Sequence, residues 1–192
     1  VYEQSIKWKR SGHYFSRIAL AVNLSLDQFA SALKDVYQRS ISQPGTDHIG
    51  IDIEISEMAL KEYSGRGSML NSDQMIKNAL KSIHDMGFNI IIDDFGTGSM
   101  SLSSLMSMPV SALKVDNSFV ADIGIDDLAE AVIRYTIKFA HEMGIKVIAE
   151  GVENAEQVLF LQECQCDYLQ GFLFSKPVKL EELEKLPASM SM

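Results

Sequence analysis

Three consecutive isoleucines, Ile90-Ile91-Ile92, run into two consecutive aspartates, Asp93-Asp94, and then at once into Phe95-Gly96-Thr97-Gly98. Side chains on a strand alternate between two faces, so three isoleucines in a row need both faces buried. That is the condition of a strand in a parallel sheet covered by helices. Two adjacent carboxylates at the end of such a strand repel each other and are costly to desolvate. A cation would relieve both problems, and the pair reads as a metal site. The plain alternative is a solvated Asp-Asp turn with Gly96 as the turn former.

The rest of the chain predicts a regular alternation of short strands and amphipathic helices. Strands are expected at Ile18–Leu24, Ile49–Ser56, Asn89–Asp93, Ala112–Asp116, Lys146–Glu150 and Tyr168–Phe172. Helices are expected at Tyr2–Lys9, Asp27–Arg39, Asp73–Met86, Leu102–Met106, Leu128–Met143, Ala155–Cys164 and Leu180–Leu186. The helical period shows in Ile76, Leu80, Ile83 and Met86, and Gly87 and Gly144 stand as stop signals just past two helices. Strand then helix, repeated, argues for a parallel α/β sheet.

The strands close on polar residues: Asn23, Glu54, Asp93 with Asp94, Lys114 with Asp116, Glu150, and Gln170. In Ile51-Asp52-Ile53-Glu54-Ile55 the isoleucines take one face, and Asp52 and Glu54 the other; Leu113 and Val115 likewise oppose Lys114 and Asp116. In a TIM-like (β/α)8 barrel one strand face packs on the helices, the other points inward, and active sites collect at the C-terminal strand ends. Any one of these residues has a structural reading, such as Lys114 paired to Asp116. Six strands in sequence, each ending in a residue that binds metal or moves protons, are harder to explain that way.

Val22-Asn23-Leu24-Ser25, Glu54-Ile55-Ser56-Glu57, Asp93-Asp94-Phe95-Gly96-Thr97-Gly98, Leu113-Lys114-Val115-Asp116, Ala149-Glu150-Gly151-Val152-Glu153 and Gln170-Gly171-Phe172 resemble the successive motifs of the EAL domain. That family hydrolyses the bacterial second messenger cyclic di-GMP, and the likeness runs from about Val1 to Pro177. The resemblance implies a two-metal phosphodiesterase that opens the ring to linear pGpG. Asn23, Glu54 and Asp93 would bind one divalent ion, Mg²⁺ or Mn²⁺, and Asp93 would bridge to a second held by Asp94. Lys114 would hold the attacking water or a phosphate oxygen, Glu150 would be the general base, and Gln170 would orient water or nucleotide. Asp116, Glu57 and Glu153 would support the site, with Glu57 anchoring the loop after Asp94. The resemblance also suggests a homodimer and fusion to sensory or GGDEF-type domains outside this chain. The physical requirements agree: in-line displacement at a phosphodiester needs an activated water and a clamp on both oxygens, which two ions ~3.5–4 Å apart supply.

Two departures stand out. Ser99 occupies a position where the family usually has an aromatic residue, in a loop thought to couple metal binding to dimerisation. The Glu-Ala-Leu motif that names the family is absent, and its glutamate, a metal ligand, is expected upstream of Val1. Six strands against eight point the same way: the EAL domain at residues 1–187 is expected to be the C-terminal three quarters of the unit, followed by a frayed tail, Ala188–Met192. On its own such a chain is expected to hydrolyse poorly. The competing reading is a cyclic di-GMP receptor or interaction module of the same fold, which would ordinarily have lost metal ligands or the base.

Composition fits a cytoplasmic domain. No apolar stretch approaches the ~20 residues of a membrane span, and no membrane contact is expected from this segment. The net charge of −9 argues against polymeric nucleic acid, while a small anionic dinucleotide stays admissible because metals reverse the local sign. Cys164 and Cys166 are too close for ordinary disulfide geometry and are expected as one buried and one half-buried thiol in a reducing compartment. The four histidines are scattered and none falls at a strand end; His141, late in a helix, sits where a cation is favoured. Ser40–Thr46 and Tyr63–Ser68 are expected as loops, the second at the barrel mouth.

Overall fold

The computed structural model describes residues 19–24, 51–64, 72–97 and 100–185. The expected helices Tyr2–Lys9 and Asp27–Arg39, the loop Ser40–Thr46, residues Gly65–Ser68, Ser99 and the tail Ala188–Met192 lie outside the described residues. The fold is α/β: six strands, parallel in every pairing described here, with helices following each strand from the second onward. The chain divides into two compact units, residues 1–112 and 113–192.

In the first unit β1 (Leu20–Asn23), β2 (Ile51–Ser56) and β3 (Asn89–Phe95) are parallel neighbours in chain order. Ile90, Ile91 and Ile92 are 0 %, 4 % and 0 % exposed, so both faces of β3 are buried, as the isoleucine run requires. β2 buries Ile51, Ile53 and Ile55 on one face. Helix α1 (Glu57–Ser64) follows β2 without a break, and α2 (Ser72–Asp85) leads into β3. From α2 the buried residues are Ile76, Leu80 and Ile83, the three- and four-residue spacing of an amphipathic helix. Each such side chain contributes roughly 1.5–3 kcal/mol by leaving water. A short α3 (Leu102–Leu105) opens on Ser101, whose hydroxyl accepts from the Ser104 N–H at 3.1 Å.

The larger differences from the sequence expectation fall here. Helix α1 was not expected at all, and its last residues, Tyr63 and Ser64, were expected to begin a loop. Its signal in the sequence is a cap, not a period: the Ser56 hydroxyl accepts from the Ala59 N–H at 3.2 Å, and Leu60 is its fully buried apolar residue. The other concerns β3, which runs two residues further than expected, through Asp94 and Phe95.

The second unit is opened by β4 (Ala112–Val115), whose four residues are all buried. Then come α4 (Asn117–Ala121), α5 (Asp127–Glu142), β5 (Lys146–Ala149), α6 (Ala155–Glu163), β6 (Tyr168–Leu169) and α7 (Leu180–Leu183). β5 and β6 are parallel, with Ile148 opposite Tyr168, and the Glu150 N–H bonds the Val115 carbonyl at 3.3 Å. Helix α5 buries Ala129, Ile133, Ile137 and Ala140 along one stripe. Its end is closed by Gly144, as the sequence predicts, and Gly87 stands in the same place after α2.

Helix α4 was not anticipated; five residues are too few to show a period, and the Asp116 carboxylate caps it by accepting from the Ser118 N–H at 2.9 Å. Strand β6 is two residues long where five were expected, because the chain turns at Gly171. Helix α7 is likewise shorter than the expected Leu180–Leu186. Cys164 and Cys166 are both free, and both are half-buried rather than one being fully buried. Among the described residues no helix is long and apolar enough to cross a membrane.

Candidate active site at the strand ends

In the first unit the parallel register places Asn23 directly opposite Glu54, and Ser56 opposite Asp93. Asn23, Glu54, Asp93 and Asp94 therefore stand at the C-terminal ends of three adjoining strands. The pairing continues one step beyond β1, where the Leu24 N–H bonds the Glu54 carbonyl at 2.9 Å. Glu54 is 6 % exposed. A carboxylate that deep needs compensating charge or hydrogen bonds. Asp94 takes φ = 55°, the left-handed region that aspartate tolerates better than most residues. Its N–H donates to the Asp93 carboxylate at 3.0 Å, and its carbonyl accepts the Thr97 hydroxyl at 2.8 Å.

Glu57, 4 % exposed, sits at the start of α1 and reaches back to the loop after β3. One carboxylate oxygen accepts the Gly96 N–H at 3.3 Å and the other the Met100 N–H at 2.5 Å. A single anion thus brackets the loop that leaves Asp94.

The second unit brings together the residues expected to do acid–base work. Lys114 on β4 is 3 % exposed, and its Nζ lies 2.5 Å from Oε1 of Glu150, immediately after β5. Strand alternation explains the lysine: Leu113 and Val115 take the other face of β4. Gln170 follows β6, its N–H on the Ala149 carbonyl at 2.8 Å and its carbonyl accepting the Val152 N–H at 3.0 Å. Two glycines let these segments close. A Cβ on Gly171 would lie 2.1 Å from the Val152 carbonyl oxygen, and one on Gly151, at φ = +75°, would lie 2.8 Å from the Asn117 Cβ. Only glycine fits either place.

Asp116 accepts both the N–H and the hydroxyl of Ser118, so its carboxylate is engaged as a helix cap. Glu153 is exposed, with its N–H on the Gln157 side chain at 2.7 Å. Gln157 was not among the predicted residues, although the Asn154-x-x-Gln157 spacing of a capping box was there to be read. Away from the strand ends, a cavity of about 550 Å³ is lined by Arg134, Lys138, Glu142, His141 and Cys164. It mixes both charge signs and contains none of the residues above. Burial pushes the Cys166 thiol up to about 11, which leaves it protonated and unreactive near neutral pH.

The donor set of the first unit is chemically uniform: one amide oxygen and three carboxylates. Hard oxygen donors of this kind fit Mg²⁺ or Mn²⁺ and not a thiolate metal.

The chain belongs to the EAL domain family, whose model matches residues 1–177. EAL domains adopt a TIM-like (β/α)8 barrel, and the described residues supply six of its strands. Among its relatives is a protein named cyclic di-GMP phosphodiesterase NbdA, from Pseudomonas aeruginosa. The two are 37 % identical over 176 residues, 91 % of this chain and 21 % of NbdA. The solved structure of the PaMucR phosphodiesterase in complex with c-di-GMP matches at TM-score 0.78 and 31 % identity, covering 95 % of this chain and 69 % of that one. A manganese and cyclic di-GMP complex of Klebsiella pneumoniae BlrP1 matches at TM-score 0.69 and 27 % identity, covering 92 % and 45 %. The chain thus spans about a fifth of the length of NbdA.

Proposed function

We propose that this chain carries the catalytic residues of a metal-dependent phosphodiesterase that hydrolyses cyclic di-GMP to linear pGpG. The observation that supports it most is the register of the first unit, which sets Asn23, Glu54, Asp93 and Asp94 at three adjoining strand ends. The names of NbdA and of the PaMucR and BlrP1 complexes support the choice of substrate.

In this reading Asn23, Glu54, Asp93 and Asp94 would hold two divalent ions, Mg²⁺ or Mn²⁺. Bound there, such ions supply positive charge that acidifies water and steadies both oxygens of the displacement. Lys114 holds the Glu150 carboxylate in place at 2.5 Å. Glu150 takes a proton from the attacking water as its oxygen bonds to phosphorus. The bond from phosphorus to the ribose 3′ oxygen breaks, that oxygen takes a proton from solvent water, and Glu150 returns the proton it took to solvent. The positive charge of Lys114 favours a phosphate oxygen on which negative charge grows. The Gln170 side chain, with both a donor and an acceptor, orients water or nucleotide. Glu57 keeps the loop after Asp94 in shape through Gly96 and Met100. Asp116 and Glu153 support the segments that follow Lys114 and Glu150.

The working protein is proposed to be cytoplasmic, a homodimer, and fused to sensory or GGDEF-type domains. The much greater length of NbdA is in keeping with the fusion.

The test is direct. Purify the natural full-length protein and incubate it with cyclic di-GMP and Mn²⁺ or Mg²⁺. Conversion to linear pGpG, stopped by a chelator, is the expected result. Tight binding without conversion in either metal would replace the enzyme by a receptor.

A further inference from the structure

Glu150 stands at the head of the connection Glu150–Asn154 between β5 and α6. A general base has to be held within a few tenths of an ångström of its working place, and a connecting loop does not do that by itself. Gly151 and Gly171 fix the middle of this loop by close backbone packing. Its far end is held by one buried side chain, Gln157, in the first turn of α6.

Gln157 is 5 % exposed, and both of its functional atoms are engaged. Its Oε1 accepts the Glu153 N–H at 2.7 Å and the Asn154 N–H at 3.2 Å. Its own N–H donates to the Asn154 side chain at 2.9 Å. An ordinary capping box makes only the Asn154 bonds, and it ends there. Here the same amide also donates from Nε2 to the Val120 carbonyl on α4, at 3.0 Å and 37 residues away in sequence. Helix α4 begins just after Asp116, two residues beyond Lys114. A short circuit results: Lys114, α4, Gln157, the Glu150 loop, and back to Lys114 through the ion pair.

We propose that Gln157 is a positioning residue for the reaction. Its Oε1 restrains the loop that carries Glu150, and its Nε2 ties that loop to the helix following Lys114, so base and lysine are held as one unit. The inference rests on the reading of Glu150 as the base. It predicts a defect in turnover, not in substrate binding.

Two variants separate the halves of the amide. Gln157→Met keeps the bulk and loses all three side-chain hydrogen bonds. Gln157→Glu keeps the acceptor oxygen that restrains the loop. Three readouts on the natural full-length protein test them, with Ile137→Val in the α5 core as a control for simple loss of stability. Hydrogen exchange, read without substrate, should quicken at the Glu153 and Asn154 amides in Gln157→Met and stay unchanged there in the control. Turnover of cyclic di-GMP should fall at least tenfold in Gln157→Met with KM within about twofold, while the control keeps its kcat. Gln157→Glu keeps the loop's acceptor but loses the tie to Val120, so its kcat should lie between those of Gln157→Met and wild type. Unchanged exchange at those two amides, a raised KM with normal kcat, or equal damage in both variants would overturn the proposal. A wild-type protein that binds but does not hydrolyse cyclic di-GMP would sink the enzymatic reading instead, and exchange would still report on the restraint.

Discussion

The two units hold their strand ends by opposite electrostatic means. In the first, like charges are gathered: Glu54 is buried, Asp93 and Asp94 are adjacent, and the loop after them is bracketed by a further carboxylate, Glu57. In the second, opposite charges are joined, Lys114 to Glu150, and the loops are fixed by neutral devices: two glycines and an amide. The lesson is about what each half needs from outside. Neighbouring carboxylates disfavour one another's ionised form, whereas opposite charges favour it. In the proposed function the first arrangement receives positive charge, and the second keeps geometry.

The contrast can be broken by substitution. Asp93→Asn removes a charge that the first unit would share between two cations, and no measurable hydrolysis is expected at saturating Mn²⁺ or Mg²⁺. Wild-type turnover in that variant would end the two-metal reading. Glu150→Gln acts on the second unit and keeps shape while losing the ability to accept a proton. A fall in kcat of about 10²–10⁴-fold is expected, with cyclic di-GMP binding largely kept. If binding is lost and turnover kept, Glu150 holds substrate instead. Gly171→Ala tests geometry without charge. Its Cβ would lie 2.1 Å from a backbone oxygen that cannot turn aside, and overpacking of this kind costs about 1–3 kcal/mol or more. Chemical denaturation should show that loss, and an unaltered midpoint would mean that the Val152 backbone yields freely.

The smallest effect concerns Asp167, which accepts the His141 ring N–H at 2.8 Å and the Val147 N–H at 2.9 Å. Burial works against this carboxylate, but the His141 and Val147 hydrogen bonds and the His141 and Lys146 charges together hold its pKa below the ordinary value. A depressed carboxylate contributes stability that is present above its unfolded pKa, ~3.9. That stability is lost as pH falls through the lower folded value. Asp167→Asn should therefore cost under about 1 kcal/mol at neutral pH. The gap from wild type should close in denaturation series taken below pH ~4. A gap constant down to the most acid point would remove the ion-linked part of the explanation.

Much of this was legible in the chain because burial writes itself in repeating patterns. The isoleucine run of β3, the stripe of α2 and the polar residues that close each strand were read from the sequence, and α5 was expected within one residue of its place, with Gly144 as its stop. Short capped elements left no period to read. Helix α1 rests on the Ser56 hydroxyl, and α4 on the Asp116 carboxylate, so Asp116 has a capping role that the strand-end pattern did not suggest. Strand β6 was overestimated because Tyr168–Phe172 has a strand-like composition, while its length is set by the contact of Gly171 with a distant backbone. The register of Asn23 against Glu54 could not be read either, since it depends on pairing between separate segments.

The Lys114–Glu150 pair has a consequence for descent. The pair joins a buried lysine to a half-buried carboxylate, and breaking it costs at most about 3–5 kcal/mol, the figure for a fully buried pair. That is a large share of the ~5–15 kcal/mol that holds a domain folded. Lineages that give up hydrolysis and keep only nucleotide recognition should therefore discard the two residues together, or trade both for apolar side chains, far more often than either one alone.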